Sequence, residues 1–480
     1  MNVVKIISIS AILVCTFLKA QAQAPGVTFP YERYETTGIS VQKYKARRNN
    51  VLKNMPPNSV ALVFAADVRN RQNDVDYEYR QNSNLWYLSG MPDANTVLML
   101  APNGIEIDGK VFKEIMFVPE RNMATEVWSG VRMGTRETET ELGFEKAINR
   151  SGFLKTLESA LAKTDTLFVA NWPTAMVRKP VSGKITMVEK EEKEFLKEKF
   201  PNLVVKTLNI LAQMREVKDD EEIALMQTAM DITAEGFKKT MAAARPGMAE
   251  YQLEAIMEFA FKNLGAEDVG YASIVGSGPN PCILHYTSNR RITKEGELVL
   301  ADCGAEYRGY TADITRTFPM NGKFSPEQLL IYNIVLEAQD SGIAACRAGN
   351  AFKAPHQAAV SVVTRELLKL GIIKEAAEMK YYFMHGTSHY LGLDVHDAGT
   401  GGPLKENTVL TVEPGIYIPA GSPCDKKWWN IGVRIEDDIR VTNGDPVNMS
   451  VKLARTAREI EQLMNSEGKA QLDPKLLHRD

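Results

Sequence analysis

The chain has 480 residues, 44% of them hydrophobic and 24% charged, and its 57 Lys and Arg against 60 Asp and Glu leave a net charge of −3. The composition is globular and the length suits two or three domains. The charge balance offers no concentrated basic surface of the kind that nucleic acid or an anionic membrane requires, so neither is expected as a partner.

The N-terminus has its own texture. Lys5 precedes an apolar run from Ile6 to Leu18, and "AQAQA" follows. The run falls short of the roughly 20 residues that a bilayer span takes. A basic residue, a short apolar stretch and small residues in A-x-A spacing describe a secretory signal peptide. Residues 1–22 are expected to be removed after Ala22, giving an exported protein, periplasmic or extracellular, with no stable membrane anchor. Cys282, Cys303, Cys346 and Cys424 fit no CxxC zinc spacing and read as mostly buried small residues.

From Val41 the pattern alternates between helix and strand. "YKARRNNVLKNM" and "GFLKTLESALAK" are helical, while "SVALVFAA", "NTVLMLAP", "KEIMFVPE" and "DTLFVANW" are short apolar strands. This predicts an N-terminal α/β domain over 41–208. The second domain, 209–465, is expected to open with one long amphipathic helix carrying Met214, Val217, Ile223, Met226 and Met230, in which Lys218–Glu222 supply caps and solubility. Beyond Gly265 strands dominate, with helices between them, predicting an α+β domain on a mainly antiparallel sheet. Residues 466–480 read as a polar tail.

Several acids fall in those strands. "ELVLADCGAEYRGYTADITRTF" reads as a hairpin turning over Glu306–Gly309, which sets Ala305 against Tyr310 and Asp302 against Asp313. Opposed carboxylates repel, and burying both is costly unless a cation, a shared proton or Arg316 compensates. Glu413 lies in an apolar strand just before a Pro-Gly break. Alternation in "GVRIEDDI" puts Arg434, Glu436 and Asp438 on one face and Val433, Ile435 and Asp437 on the other.

Three of the six histidines, His385, His389 and His396, fall within "HGTSHYLGLDVHD". Gly386, Gly392 and the surrounding residues suit a loop leading to a strand better than a helix. No Glu follows His385 as HExxH requires, and Ser388 lacks a G-x-S-x-G setting. A three-histidine zinc site would leave four acids without a role. Carboxylates from separate strands with an imidazole suit two divalent first-row ions better than a structural zinc.

Taken together, "YASIVGSGPNPCILHYTSN", "LADCGAEYRGYTADITRTFP", "HGTSHYLGLDVHD", "LTVEPGIYI" and "GVRIEDDI" resemble the successive motifs of the pita-bread metallopeptidases, above all aminopeptidase P. "YRQNSNLWYLSG" and "EVWSGVRMG" resemble that family's N-terminal half, so the likeness runs from about Val41 to Met464. The resemblance implies an α/β N-terminal domain followed by a pita-bread catalytic domain with a curved sheet. It implies a two-metal site of Asp302, Asp313, His389, Glu413 and Glu436, with Asp313 and Glu436 bridging. The usual ion would be Mn²⁺, with Co²⁺ or Zn²⁺ as alternatives. Glu413 would be the proton-transferring residue. His285, His385 and His396 would face the substrate together with Tyr271, an Asp74–Arg434 pair would lie near it, and Trp128 would arrive from a neighbouring subunit of a homodimer or homotetramer. The implied reaction removes the first residue of a peptide whose second residue is proline. A prolidase acting only on Xaa-Pro dipeptides is the nearest alternative, although it usually has Gly where Ser388 stands. Non-catalytic binding modules of the same fold typically lose metal ligands, and here all five are present.

Overall fold

The computed structural model describes residues 31–32, 38–172, 174–178, 185–189 and 191–466, with backbone alone for those between 173 and 192. The expected signal peptide and residues 467–480 of the expected tail lie outside the described residues. Among the described residues no helix is long and apolar enough to cross a membrane.

The N-terminal half is built on a six-stranded mixed sheet. Its strands are β1 (Ser59–Phe64), β2 (Val97–Ile107), β3 (Lys110–Val118), β4 (Ala147–Asn149), β5 (Thr166–Val169) and β6 (Val204–Thr207), in the order β6-β5-β1-β2-β3-β4. β1 is apolar from Val60 to Phe64 because both its faces are covered. Val60, Leu62 and Phe64 enter a cluster with Phe153, Leu157 and Leu161, while Ala61 and Val63 enter another with Leu85 and Leu88. Exposed β6 was not anticipated; it adds in parallel to the edge formed by β5. Helices α1 (Val41–Lys53) and α2 (Ser83–Ser89) each begin at a side-chain cap, Ser40 and Asn82.

The expected long helix at the start of the second half is two helices, α3 (Ile210–Glu216) and α4 (Asp220–Ala243), separated by Val217–Asp219. The break has a physical cause. Asp219 caps α4 in a capping box with Glu222. Lys218, expected to lend solubility, is 2% exposed and its ammonium lies 3.0 Å from Asp397.

Helix α5 (Glu250–Asn263) precedes the catalytic strands β7 (Ile274–Ser277), β8 (Leu298–Cys303), β9 (Ala305–Tyr307), β10 (Tyr310–Thr311) and β11 (Ile314–Pro319). Helices α6 (Pro326–Ala344) and α7 (Ala354–Lys369) pack together, and β12 (Val409–Val412) pairs with β15 (Asp437–Arg440) while β13 (Gly415–Ile418) pairs with β14 (Ile431–Arg434). All the strand pairs here are antiparallel. Glu436 N–H donates to the Thr315 carbonyl, which joins β11 to the β14–β15 run. Arg316, considered as a partner for the acidic hairpin, points the other way. Its guanidinium meets Asp437 at 2.7 Å and the Glu436 carbonyl at 2.6 Å, with both side chains wholly buried.

The two halves share one hydrophobic cluster, in which Leu85 and Leu88 of α2 meet Tyr310, Leu391, Leu393 and Val409. Around it run polar ties: Arg47 to Asp219 at 3.0 Å and Glu222 at 3.1 Å, Arg80 to Glu306 at 2.6 Å, and the Trp86 indole to the Arg308 carbonyl at 3.1 Å.

Two predictions follow from buried charge. Arg316→Leu leaves the Asp437 carboxylate buried and uncompensated, which costs about 3–5 kcal/mol; a clear drop in the chemical-denaturation midpoint is expected, and an unchanged midpoint would contradict it. At the junction, burial would raise Asp219 and Asp394, but Arg47 and Arg215 respectively hold them below the ordinary aspartate value. A depressed folded-state pKa means stabilisation that is complete above the unfolded value of about 3.9 and lost as pH falls through the folded one. Thermal midpoints should therefore fall on acidification through that range, and Asp394→Asn should flatten the fall.

Candidate metal centre

The acids of the centre sit at or beside interruptions in strands. β8 and β9 are separated by Gly304, and β10 and β11 by Ala312–Asp313. The register runs unchanged across both breaks, with Glu306 opposite Thr311 and Asp302 opposite Thr315. The turn is therefore Arg308–Gly309, with φ of 53° and 80°, a two-residue turn that matches strand twist. The expected four-residue turn is thus corrected: Tyr307 faces Tyr310, and Asp302 faces Thr315. A shift of two residues preserves the face, so Asp302 and Asp313 remain together as diagonal neighbours. Gly304 is required here, because a Cβ would overlap the Ala312 carbonyl. Glu413 lies in the break between β12 and β13, and Glu436 in that between β14 and β15.

The histidine stretch runs alongside β12 without being a regular strand. Glu413 N–H donates to Thr387, Thr411 N–H to His389 and Leu391 N–H to Val409. That alignment brings His389 Nε2 to 3.3 Å from Asp313 Oδ2 and 3.5 Å from Glu413 Oε1. Its Nδ1 lies 3.1 Å from the Tyr390 carbonyl, which assigns the proton to Nδ1 and leaves Nε2 towards the acids. Asp313, His389 and Glu436 offer donor atoms all within 4.8 Å of one another. Thr315 donates to Glu436 at 2.6 Å.

Tyr271, expected on the substrate, lies against the acids of the centre. Its hydroxyl is 2.6 Å from both Asp302 Oδ1 and Asp313 Oδ1. A phenol has one proton and can satisfy only one of them. Asp438, which the sequence reading gave no role, adds a further carboxylate. Its Oδ2 accepts from Asp313 N–H at 3.1 Å, and its Oδ1 is buried with no hydrogen-bond partner.

Burial raises the carboxyls of Asp313, Glu436 and Asp438 and pushes Glu413 up to about 7; neighbouring carboxylates add to the effect. Burial alone would lower His389, but Asp313 pushes it up to about 9. Without a cation, then, protons hold this cluster together: raised carboxyls and a protonated His389 share the pocket with one buried guanidinium, Arg434. Hard oxygen donors with a single imidazole, short of positive charge, fit divalent first-row cations.

Arg434 links the centre to His385. It donates to Asp302 at 2.6 Å, Thr315 at 3.1 Å and the Tyr417 hydroxyl at 3.0 Å. Tyr417 lies 2.8 Å from His385 Nε2, and His385 Nδ1 lies 2.7 Å from the Gly386 carbonyl. Burial and Arg434 lower His385 to about 4, so it is neutral near pH 7. The expected Asp74–Arg434 pair is not formed within the chain, because Arg434 is buried among these partners while Asp74 is exposed beside the tip of the Asn70–Asp76 hairpin. The sequence reading missed Tyr417. Its one signal is Gly415, where a Cβ would overlap the Tyr417 hydroxyl.

His396 packs edge-on to His389, with ring centroids 4.4 Å apart. His285 is exposed on the loop after β7. That loop is fastened by buried Glu250, which accepts from Ser277, Asn280, Tyr286 and Arg291 at 2.7–3.0 Å. Trp128 stands 85% exposed on the Met123–Ser129 helix.

Antiparallel strands with carboxylates at or beside their breaks, and an imidazole aligned alongside β12, form a metal site of the kind metallopeptidases of the pita-bread class use. The profile of metallopeptidase family M24 matches residues 224–443, and that of the aminopeptidase P N-terminal domain matches residues 44–168. The chain is 37% identical to the Xaa-Pro aminopeptidase of Escherichia coli (strain K12) over 438 residues, covering 89% of this chain and 98% of that protein. It is 30% identical to Xaa-Pro aminopeptidase 3 of Homo sapiens over 449 residues, 89% of this chain and 87% of that one. An Escherichia coli aminopeptidase P solved in complex with substrate superposes with a TM-score of 0.80 at 36% identity, covering 89% of this chain and 99% of that one. The Pseudomonas aeruginosa aminopeptidase PepP gives 0.79 at 34% identity, covering 89% and 98%. The chain belongs to the aminopeptidase P (Xaa-Pro aminopeptidase) family, and membership of M24 implies divalent metal ions.

A cation that relieves this repulsion must stabilise the fold, by an amount that grows with its concentration over its dissociation constant. Adding Mn²⁺ to chelator-treated protein should raise the unfolding temperature, and Asp313→Asn should shrink the rise. No shift in the unsubstituted chain would contradict the site.

Proposed function

We propose that the chain hydrolyses the bond between the first residue of a peptide and a following proline, in peptides longer than two residues. The observation that carries this reading is the meeting of Asp302, Asp313, His389, Glu413 and Glu436 in one pocket, in a chain that spans 98% of a curated Xaa-Pro aminopeptidase. These five side chains would hold two divalent ions, Mn²⁺ foremost, with Asp313 and Glu436 shared between them. When bound, such ions supply Lewis acidity and lower the pKa of water to about 7.

The chain's own groups do the rest. Glu413 stands between His389 and His385, at 3.5 Å from each, where a carboxylate can take a proton from the attacking water and pass it to the proline nitrogen. His396 and His285 border the pocket and donate hydrogen bonds to the peptide and to the oxygen on which charge develops. Neutral His385, held by Gly386 and Tyr417, offers a fixed wall without added charge. The bond cleaved has no N–H and ends in a rigid ring, so recognition rests on the proline's shape and the free α-amino group. Exposed Trp128 supports an assembly, a homodimer or homotetramer, in which one subunit completes a neighbour's site. The basic and apolar opening of the chain supports export.

With Mn²⁺ supplied, a tripeptide with proline second should lose its first residue, and an Xaa-Pro dipeptide should be the poorer substrate. Cleavage of the dipeptide alone would make the chain a prolidase. Asp302→Ala should lower turnover by at least about 10³-fold; full activity would overturn the assignment.

A further inference from the structure

His396 lies in a loop flanked by two aspartates that face away from the metal centre. Asp397 is engaged by Arg215 on one oxygen and by Lys218, at 3.0 Å, on the other. Side-chain exposure is 1% for Asp397, 1% for Lys218 and 4% for Arg215. Asp394 takes Arg215 at 2.7 Å and the Ser83 hydroxyl at 2.6 Å. Arg215 also donates to Asn84 at 2.8 Å. Ser83 and Asn84 open α2 of the N-terminal half, Arg215 lies in the last turn of α3, and Lys218 lies in the break before α4. Arg80 adds a hydrogen bond to the Leu393 carbonyl. The loop that carries His396 is thus held by α2 of the N-terminal domain and by the α3–α4 junction as well as by the catalytic strands.

The backbone shows the same design. Asp397 N–H donates to the Tyr390 carbonyl at 2.8 Å, and Thr311 N–H to the Gly392 carbonyl at 2.9 Å. The chain folds back so closely that a Cβ on Gly392 would overlap the Asp397 carboxylate and press on Lys218. Buried ion pairs contribute little net stability, and their best-attested use is to fix one arrangement against its neighbours. Two cations converging on one buried carboxylate, a single residue from a histidine at the pocket's edge, fit that use.

We propose that Arg215, with Asp397 as its main partner, is a positioning residue that sets the His396 imidazole against the substrate. Docking of the N-terminal domain and of the α3–α4 junction against this loop is thereby part of catalytic competence. The inference rests on the reading above, in which His396 donates to the peptide.

The test uses the full-length Mn²⁺-loaded chain and a tripeptide with proline second. Arg215→Ala should lower kcat at least about tenfold while KM changes less than about threefold and metal content stays the same. Arg215→Lys, which keeps the charge but loses the fork that bridges Asp394, Asp397 and Asn84, should recover part of the loss. In a His396→Ala background, Arg215→Ala should cost less than about twofold, because residues that act through one group do not add. Losses that multiply in the double variant, or a fall in kcat that tracks lost metal, would overturn the inference while leaving the peptidase reading intact. An unsubstituted chain inactive on the tripeptide would overturn both. Should Arg215→Ala fail to fold, Ser83→Ala deletes one hydrogen bond to Asp394 and carries the same comparison, with an expected loss of about threefold.

Discussion

Carboxylates packed into one pocket with too little positive charge are the constraint on which the rest of this structure depends. Asp302, Asp313, Glu436 and Asp438 are all buried, Glu413 nearly so, and Arg434 is the buried guanidinium among them. In the dry interior such a cluster holds protons or cations. The sheet is shaped to present it. Asp313, Glu413 and Glu436 occupy short breaks between consecutive strands, and Asp302 stands beside one, so the four acids converge from neighbouring strands. Gly304 and Gly415 are small because neighbouring backbone and the Tyr417 ring occupy the space where a Cβ would stand.

A second layer of polar groups fixes the first. Thr315 orients Glu436, Tyr271 spans Asp302 and Asp313, and Arg434 ties Asp302 through Tyr417 to His385. The layer extends beyond the catalytic half, since the histidine loop is gripped from α2, α3 and the break before α4. The two halves share a hydrophobic core as well. The N-terminal domain is therefore integral to the geometry of the site.

Much of this was legible in the sequence for definite reasons. The double-sided burial of β1 and β2 produces continuous apolar runs, and the acids stand out because carboxylates are rare in such strands. Alternation correctly grouped Arg434, Glu436 and Asp438. What eluded the reading is tertiary. A two-residue turn at Arg308–Gly309 and a four-residue turn over Glu306–Gly309 share the same residue types, and only strand pairing decides between them. Lys218 reads as a surface charge until Asp397, distant in sequence, meets it. Tyr417 reads as an ordinary aromatic, and the contacts of the Tyr271 and Tyr417 hydroxyls with Asp302, Asp313, Arg434 and His385 exist only when several segments come together. Glu250, given no role by the sequence, fastens the loop that carries His285.

The central claim is that the acids hold the metal and that two of the three histidines in the motif do not. Anomalous diffraction from crystals grown with Mn²⁺ tests it most directly. The account predicts two peaks per chain, enclosed by Asp302, Asp313, His389, Glu413 and Glu436, with Asp313 and Glu436 touching both and with His385 and His396 touching neither. A single peak held by His385, His389 and His396, with the carboxylates turned away, would contradict it.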